Sequence, residues 1–457
     1  KTHPFDFYVI LYIYKYGLDT GKQAPKCVPY NGIEAAYWGC YRPGHVQLKL
    51  NPDAKIMDLR SGYPFWLVKN GLVHTYPALE SDQDCDVVVI GGGITGALAA
   101  YTLVQEDVDV IVVDKRDIGW GSTSASTAML QYEIDKELHE LKDLIGPQEA
   151  VRAYQLGVQS LNDIQAIVAQ LGVDCGFQLT ESVYAARYKS HLSDLQSEYT
   201  ARKDAGFDVR YVKEAELSEC YGVKALAAIV SAAGAQVDPL RLTHALHQKN
   251  MQLGARVYDR TEVCKVQPHN DGVTLQTDRS HQIKARRVVF ATGYESQSYL
   301  KQKVVDLNST YALISEPVAQ ADRLGGQYLL WETARPYFYA RTSSDGRFIM
   351  GGGDLPFQNP DKRDRLIGKK SQQLLALFAK FYPERQTPEV AYAWAGAFGE
   401  TKDGLAYIGQ TDEIPNAYFA LGYGGNGITY SMIAARMIAD LYVGRRNDDA
   451  YLFRFDR

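Results

Sequence analysis

Three glycines have the spacing that chemistry on a dinucleotide requires. Gly91, Gly93 and Gly96 form G-x-G-x-x-G directly after the apolar run at residues 87–90, and an alanine-rich stretch follows them. The pattern predicts a strand, a tight turn and a helix whose first residues, Ile94 and Thr95, are candidates for binding the ligand together with the glycines. Gly91 permits the turn, Gly93 lets a pyrophosphate approach the backbone, and Gly96 lets the helix pack against the strand.

An acidic residue follows at the distance expected for binding a ribose. The apolar run at residues 108–113 predicts a second strand, and Asp114 ends it 18 residues after Gly96. An acid at this point favours an unphosphorylated adenosine ribose, and hence FAD or NAD over NADP. The alternative is a turn whose glycines serve packing alone, and the agreement of strand, spacing and acid argues against it.

Three further stretches of small residues predict close approaches of the backbone to the same ligand. They are 115–130, which is rich in Gly, Ser, Thr and Ala; 291–293, which ends an apolar run; and 422–429, which lies between a predicted strand and helix. Small residues let backbone groups and hydroxyls hydrogen-bond a phosphate or a ring edge at short range. The candidate residues here are Lys115, Gly121, Ser122, Thr123, Ser126, Thr127, Ala128, Met129, Ala291, Thr292, Gly293, Gly424, Gly425, Asn426, Gly427 and Ile428.

Composition excludes several classes of protein. A length of 457 residues suits two or three domains, and the net charge of -5 gives no basic patch for nucleic acid. The six cysteines are scattered and the histidines lack ligand spacing, so we expect no metal and a reducing, cytoplasmic location. No apolar run reaches membrane-spanning length, and no secretory signal pattern is evident. The sequence leaves the oligomeric state open, as it does the role of the aromatic run at residues 7–14.

The order of the predicted elements indicates a discontinuous architecture. Strand patterns and amphipathic helices alternate, with a long helix at about 148–171 and helices expected to begin after Asp135 and Asp238 as capping residues. We assign residues 1–81 to an N-terminal arm of unclear role. The cofactor domain is expected to comprise 82–172, 235–299 and 394–457, and the substrate domain 173–234 and 300–393.

These ordered blocks resemble those of the D-amino-acid-oxidase-like FAD-dependent oxidoreductases, over about residues 76–444. The likeness also uses Trp394-Ala395-Gly396 and Thr401-Lys402-Asp403-Gly404. It implies an α/β fold, with a Rossmann-type FAD-binding domain and a second, antiparallel β-sheet substrate domain of α+β type. The glycines 91, 93 and 96 would hold the pyrophosphate, and Asp114 the ribose. Residues 122–129 would line the pyrophosphate and flavin, Val263 would meet the adenine through its backbone, and 425–428 would face the flavin.

The activity implied is removal of a hydride from the C–N bond of an amine or amino acid to flavin N5, with oxygen or another acceptor reoxidising the flavin. No cysteine lies in the terminal glycine-rich blocks, so FAD is expected to be non-covalent. Phe398 and Gly425 stand where the family's amino-acid oxidases have carboxylate-binding arginines, which favours an amine or a bulky apolar substrate. Two alternatives stay open: a flavin-binding protein with a structural or sensing role, and an NAD-dependent dehydrogenase.

One strand supplies the candidate catalytic residues. Tyr337, Tyr339 and Arg341 alternate along it, so they share one face. If that face meets the flavin, the phenols would orient an amine and Arg341 would be the remaining cation for a carboxylate. Sheet packing, with Arg341 in a structural ion pair, is the alternative, because a sequence does not distinguish the two faces of a strand.

Overall fold

The computed structural model describes residues 59–62, 64–319 and 328–457. The aromatic run at residues 7–14 and most of the predicted N-terminal arm lie outside these ranges. The strands are β1 (Gln83–Ile90), β2 (Val110–Val113), β3 (Met129–Gln131), β4 (Gln178–Ala186), β5 (Val209–Lys213), β6 (Ala227–Gln236), β7 (Arg256–Tyr258), β8 (Val263–Pro268), β9 (Val273–Thr277), β10 (Gln282–Phe290), β11 (Asp306–Ser315), β12 (Tyr328–Glu332), β13 (Phe338–Thr342), β14 (Phe348–Pro356), β15 (Val390–Glu400), β16 (Tyr407–Gly409) and β17 (Ala417–Leu421).

The α-helices are α1 (Phe65–Asn70), α2 (Ile94–Val104), α3 (Ser122–Ala125), α4 (Leu138–Ile145), α5 (Pro147–Leu171), α6 (Leu192–Asp204), α7 (Glu214–Glu216), α8 (Pro239–Gln252), α9 (Pro360–Arg365), α10 (Ile367–Phe381) and α11 (Gly427–Tyr442). Single 3-10 or π turns occur at Lys189–His191, Leu217–Tyr221, Gly293–Tyr299 and Ala450–Phe453. In the part of the chain that the structure describes, none of the helices combines the length and apolar character needed to cross a bilayer.

The first sheet has the order β16-β17-β10-β1-β2-β7, and β9 joins it beside β10 and pairs with β8. Its central strands β17, β10, β1, β2 and β7 are parallel, so their carboxyl ends meet at one edge. Residues 87–90 and 110–113 are buried throughout, as expected for parallel strands covered on both faces. Helices α2, α8 and α11 pack together beside this sheet and are in contact with one another through α2.

The second sheet has the order β15-β11-β14-β13-β12-β4-β6-β3, with β5 pairing with β6. Its pairs are antiparallel except that β12 runs parallel to β4. A parallel sheet with helices beside a largely antiparallel second sheet confirms the predicted fold class. The chain passes between the sheets repeatedly: β1–β2 and β7–β10 belong to the first, β3–β6 and β11–β15 to the second, and β16–β17 to the first again.

The predicted domain limits stay a prediction, since strand pairing alone does not define where a domain ends. Strand β3 lies in the second sheet although we assigned 82–172 to the cofactor domain. Strand β15 lies there as well, and it runs past our predicted limit at residue 394. Residues of both strands line the cavity between the sheets. For such segments the sequence does not indicate which sheet they will join.

Helix ends follow the capping residues in two cases and depart from them in one. Asp238 caps α8 by accepting from the backbone N–H of Arg241, and α5 ends at Gly172 in the left-handed conformation. Asp135, however, does not cap the next helix, because α4 begins only at Leu138 after Glu137. The predicted capping role of Asp135 is therefore wrong, and its carboxylate has other partners.

Replacing Gly96 should destabilise the fold, because α2 lies against the glycine turn. A Cβ at Gly96 would lie 1.8 Å from the carbonyl oxygen of Gly91, so a methyl group there would push α2 off β1. We expect Gly96→Ala to lower the free energy of unfolding by more than about 2 kcal/mol, measured by denaturant titration. Gly368→Ala is the matched control, since a Cβ at that position on α10 meets nothing within 4 Å. Equal stability of the two variants would contradict this packing.

Candidate functional site

A cavity of about 660 Å³ has walls from both sheets. The first sheet contributes the glycine turn and the carboxyl ends of its parallel strands, and the second contributes residues of β11–β15. All the candidate residues predicted from the sequence line this cavity except Gly96 and Arg341. Residues separated by more than 300 positions therefore meet at one site.

The glycine turn is held by backbone contacts that leave no room for side chains. Gly91 has φ +109°, and a Cβ there would lie 2.4 Å from the carbonyl oxygen of Ala291 at the end of β10. A Cβ at Gly93 would lie 2.9 Å from Thr123 Oγ1, whose oxygen accepts from the N–H of Ile94. The turn thus presents bare backbone and the N-terminus of α2 to the cavity, which is the arrangement that binds phosphate groups.

A neutral histidine on α8 holds the glycine turn by a hydrogen bond. His247 Nε2 donates to the carbonyl oxygen of Gly92 at 3.1 Å. Burial lowers the pKa of His247 to about 3, so the imidazole stays uncharged at physiological pH. No sequence pattern singled out this histidine, because its contact with the turn depends on how α8 packs.

Asp114 lies where the ribose acid was predicted. Its carboxylate accepts from the backbone N–H groups of Gly92 at 2.7 Å and of Arg116 at 2.8 Å. Burial raises the pKa of Asp114 to about 6, against these hydrogen bonds. A carboxylate has about four acceptor positions, so the group keeps capacity for a hydroxyl in the cavity.

Three buried side chains hold the carbonyl groups of the loop at residues 125–127. Trp394 Nε1 donates to the first carbonyl oxygen at 2.8 Å, Trp66 Nε1 to the second at 2.7 Å, and Arg341 Nε to the third at 2.7 Å. These three hydrogen bonds hold the backbone of the loop in place. Ser122, just before it, lines the cavity, and its buried hydroxyl has no hydrogen-bond partner in the described part of the chain.

Arg341 is therefore not placed as a substrate cation. Its side chain is buried, and the guanidinium also donates to Gln236 Oε1 and the carbonyl oxygen of Val237, each at 3.2 Å. Burial lowers its pKa to about 9. Tyr337 and Tyr339 line the cavity, whereas Arg341 lies beyond it and donates to the loop that forms part of its wall.

The terminal glycine turn packs onto the segment that contains Asp135. Asp135 Oδ2 accepts from the N–H of Gly425 at 2.8 Å, and Asp135 Oδ1 accepts from the Tyr337 hydroxyl at 3.0 Å. A Cβ at Gly424 would lie 2.5 Å from the same carboxylate. Asn426 donates to the carbonyl oxygens of Gln131 and Glu133. These contacts fix the N-terminus of α11 at the cavity, with its positive dipole end toward the interior.

The wall formed by the second sheet is aromatic and acidic. Trp331, Tyr337 and Tyr339 line the cavity together with Thr310 and Asp354. The two tyrosine rings lie 6.2 Å apart, and burial raises the pKa of Tyr339 to about 12. Burial also raises the pKa of Tyr337 well above its usual value, so both phenols stay protonated at neutral pH.

Asp354 is the functional candidate that the sequence reasoning missed. Its Oδ1 is buried and has no hydrogen-bond partner among the residues that the structure describes, although Asp354 lines the cavity. Burial raises its pKa to about 7. The only signal in the sequence was position, since Asp354 follows the run Gly351-Gly352-Gly353 at the end of an apolar strand.

Positive side chains are confined to one part of the cavity lining. Among the described residues that line it, only Lys115 and Arg116 carry such charges, and both pair with Glu295, at 3.2 and 2.7 Å. They flank Asp114 and lie on the first sheet's side. Phe398, at the position expected for a carboxylate-binding arginine, also lines the cavity.

The lining fits an adenine dinucleotide. The bare glycine turn and the unpartnered Ser122 hydroxyl suit the pyrophosphate, and Asp114 suits a ribose. The family model DAO, described as FAD dependent oxidoreductase, matches residues 86–441. The chain belongs to this family. It is accordingly an FAD-dependent oxidoreductase, as the resemblance predicted, and the NAD-dependent and non-enzymatic alternatives are set aside.

Individual relatives have low sequence identity to this chain but align over most of its length. Gamma-glutamylputrescine oxidoreductase of Escherichia coli (strain K12) is 23% identical over 81% of this chain and 86% of its own length. Glycine oxidase of Geobacillus kaustophilus (strain HTA426) is 26% identical over 78% and 92%. The crystal structure of a G. kaustophilus glycine oxidase covers 80% of this chain and 96% of its own, with TM-score 0.69 and 22% identity. That of L-proline dehydrogenase from P. horikoshii covers 82% and 99%, with TM-score 0.70 and 21% identity.

A cluster of potential metal-binding side chains, separate from the cavity, forms an ion-pair network. Ligand atoms of Glu137, His139 and Glu198 lie within 4.8 Å of one another. The buried Arg202 donates to Glu198 at 2.6 Å and supplies the compensating charge. Burial acts to raise the pKa of Glu198, but Arg202 and His139 together lower it to about 2. The expectation of no metal stays a prediction.

Removing Arg341 should loosen the loop at residues 125–127 and weaken FAD binding. Arg341→Met keeps much of the side-chain volume but leaves several buried carbonyl oxygens without donors, at a cost on the order of 3 kcal/mol. We expect lower FAD occupancy and a lower melting temperature, measured by flavin absorbance and thermal denaturation. Arg365→Met, at an exposed residue of α9, serves as the control. A variant with full FAD and intact stability that loses only affinity for carboxylate substrates would restore the original assignment.

Proposed function

We propose that the enzyme oxidises the C–N bond of an amine, with the bound FAD accepting a hydride at flavin N5. The resulting imine hydrolyses to a carbonyl compound and an amine or ammonia. An amine is favoured over a simple α-amino acid. One observation carries this choice: the wall from the second sheet offers carboxylates and aromatic rings, and the cavity's lining cations, Lys115 and Arg116, lie on the other side and are already paired.

The chain's own residues have three tasks in this reaction. The glycine turn, Asp114 and the loop at residues 122–129 would hold the cofactor. Tyr337 and Tyr339 would orient the amine and keep water from the reacting bond. The N-terminus of α11 would stabilise the negative charge that reduction places on the flavin, since helix N–H groups favour anions.

The names of the relatives agree with chemistry at a C–N bond. The similar proteins are named as oxidoreductases of gamma-glutamylputrescine, of glycine and, for one structure, of L-proline. Their identities of 21–26% support the reaction class and leave the substrate to the residues of this cavity.

A carboxylate-bearing substrate is the second candidate, because one arginine lies close by. The guanidinium of Arg335 lies 4.7 Å from the centroid of the Tyr337 ring and donates to the carbonyl oxygens of Glu332 and Asp135, each at 3.4 Å. Arg335 does not line the cavity, but its exposed guanidinium lies beside Tyr337, which does line it.

Three finer features complete the proposal. Non-covalent FAD is supported by the cavity lining, where no described residue is a cysteine or a histidine. The electron acceptor is oxygen or another small molecule or protein partner. A cytoplasmic location rests on the scattered cysteines of the sequence.

Phenethylamine and phenylalanine test the proposal, because the amino acid is the amine with an added α-carboxylate. Anaerobic mixing with the FAD-loaded enzyme should bleach the flavin absorbance. We expect the amine to do so at least about tenfold more efficiently, because the lining cations Lys115 and Arg116 are paired with Glu295 on the first sheet's side and do not offset desolvation of the carboxylate. Faster reduction by phenylalanine, lost in Arg335→Met, would favour the second candidate. Absence of bleaching across a broad panel of primary and secondary amines and amino acids would refute the reaction class.

A further inference from the structure

We propose that Asp354 binds the ammonium group of the substrate inside an aromatic enclosure formed by Trp331, Tyr337 and Tyr339. The enzyme would then take up its substrate as a cation, and the substrate class would be alkylammonium compounds that need no carboxylate. This inference rests on the proposed function, because it concerns the substrate of that reaction. Binding of an ammonium group at Asp354 can nevertheless be measured without turnover.

The backbone of β14 delivers Asp354 to the cavity. A Cβ at Gly351 would lie 2.3 Å from the Tyr339 ring, and one at Gly352 would lie 1.9 Å from the carbonyl oxygen of Tyr337. Gly352 and Gly353 have φ +127° and +68°, which other residues rarely adopt. The glycines thus seat the tyrosines against β14 and turn the strand so that the next side chain lines the cavity.

Among the described residues, none donates a hydrogen bond to Asp354 Oδ1. A buried acceptor without a partner costs free energy, and an ionised one costs more. Lys370, whose positive charge acts on the pKa of Asp354, has other partners: its Nζ donates to the carbonyl oxygen of Gly353 and lies 5.3 Å from the centroid of the Tyr311 ring. A ligand ammonium group in the cavity would supply this carboxylate with positive charge and a charge-assisted hydrogen bond.

Two other acidic residues that line the cavity are less available to pair with a ligand cation. Both carboxylate oxygens of Asp135 have partners, Tyr337 and Gly425. Glu133 has one unpartnered buried oxygen, but Arg202 lies 3.4 Å from its other oxygen and supplies a positive charge. Asp354 is therefore the lining acid on the second sheet with the clearest need for a cation.

Aromatic rings give the enclosure its preference for charge. Trp331 is fixed by stacking on Tyr184, with centroids 3.8 Å apart, and by donating to Ser182 Oγ at 3.1 Å. Tyr337 and Tyr339 add two more rings on the same wall. Aromatic faces attract ammonium groups and offer little to an anion, so they reinforce the carboxylate.

The site should respond to pH. Asp135 and Glu400 face Asp354 with negative charge, Lys370 faces it with positive charge, and Thr310 donates a hydrogen bond that opposes the effect of burial. The net result is a pKa of about 7 for Asp354 in the free site. Below this pH the carboxyl is neutral and cannot pair with a cation, so affinity for an ammonium ligand should fall as the pH is lowered from 8 to 6.

tert-Butylammonium and tert-butanol form the test pair. They share a shape, only the first is charged, and tert-butylamine has no α-hydrogen, so binding is measured without oxidation. Calorimetry with the FAD-loaded enzyme should show that the cation binds more tightly than the alcohol. Asp354→Asn should lower the affinity for the cation by about 10- to 100-fold, because one charge-assisted hydrogen bond is lost. The affinity for the alcohol should stay unchanged. Asp354→Glu should restore part of the affinity.

Asp361→Asn is the control, since Asp361 is an exposed acid on the neighbouring helix α9 and should leave both affinities unchanged. Equal binding of the cation by the parent enzyme and Asp354→Asn would overturn the proposal, as would equal binding of cation and alcohol by the parent. If Asp354→Asn does not hold FAD, the parent enzyme decides by its pH dependence. Cation affinity that does not fall between pH 8 and 6 would then overturn it. Failure of amines to bleach the flavin would refute the proposed function alone.

Discussion

The close approach of three backbone segments at the glycine turn is the constraint on which the rest of the structure depends. Gly96 lets α2 lie against the turn, and Gly91 lets the turn lie against the end of β10. Because the carboxyl ends of β1 and β10 meet here, the polar N-terminus of α2 faces the space between the sheets. The cavity exists where this edge faces the wall formed by the second sheet.

The other walls are held in place by hydrogen bonds from neighbouring side chains. Two indole N–H groups and one guanidinium fix the carbonyls of residues 125–127, and Asp135 ties the terminal glycine turn to Tyr337. The resulting lining separates its charges, with cations beside Asp114 and unpaired acid near the tyrosines. This separation is the physical basis for assigning the nucleotide to one region and a cationic amine to the other.

The sequence predicted those parts of the site that local backbone chemistry determines. The glycine turns, Asp114 and the small-residue loop line the cavity because each is a short segment whose conformation its own residues dictate. Arg341 shows the limit: alternation gives the side of a strand but not how far along it the cavity extends. Asp135 shows another, since its capping pattern competes with a tertiary contact to Tyr337 that sequence spacing does not encode. Asp354 follows a glycine run that is visible in the sequence, but its place in the cavity depends on how β14 packs against β13, which spacing alone does not encode.

The central claim is that the glycine turn holds the pyrophosphate of FAD and so sets the position of the flavin. Its most direct test is the molar ratio of FAD to protein in purified Gly93→Val, with circular dichroism as the check on folding. We expect a folded, colourless protein, because the side chain would occupy the space beside Thr123 at the N-terminus of α2. A folded variant that stays yellow with one FAD per chain would contradict the account.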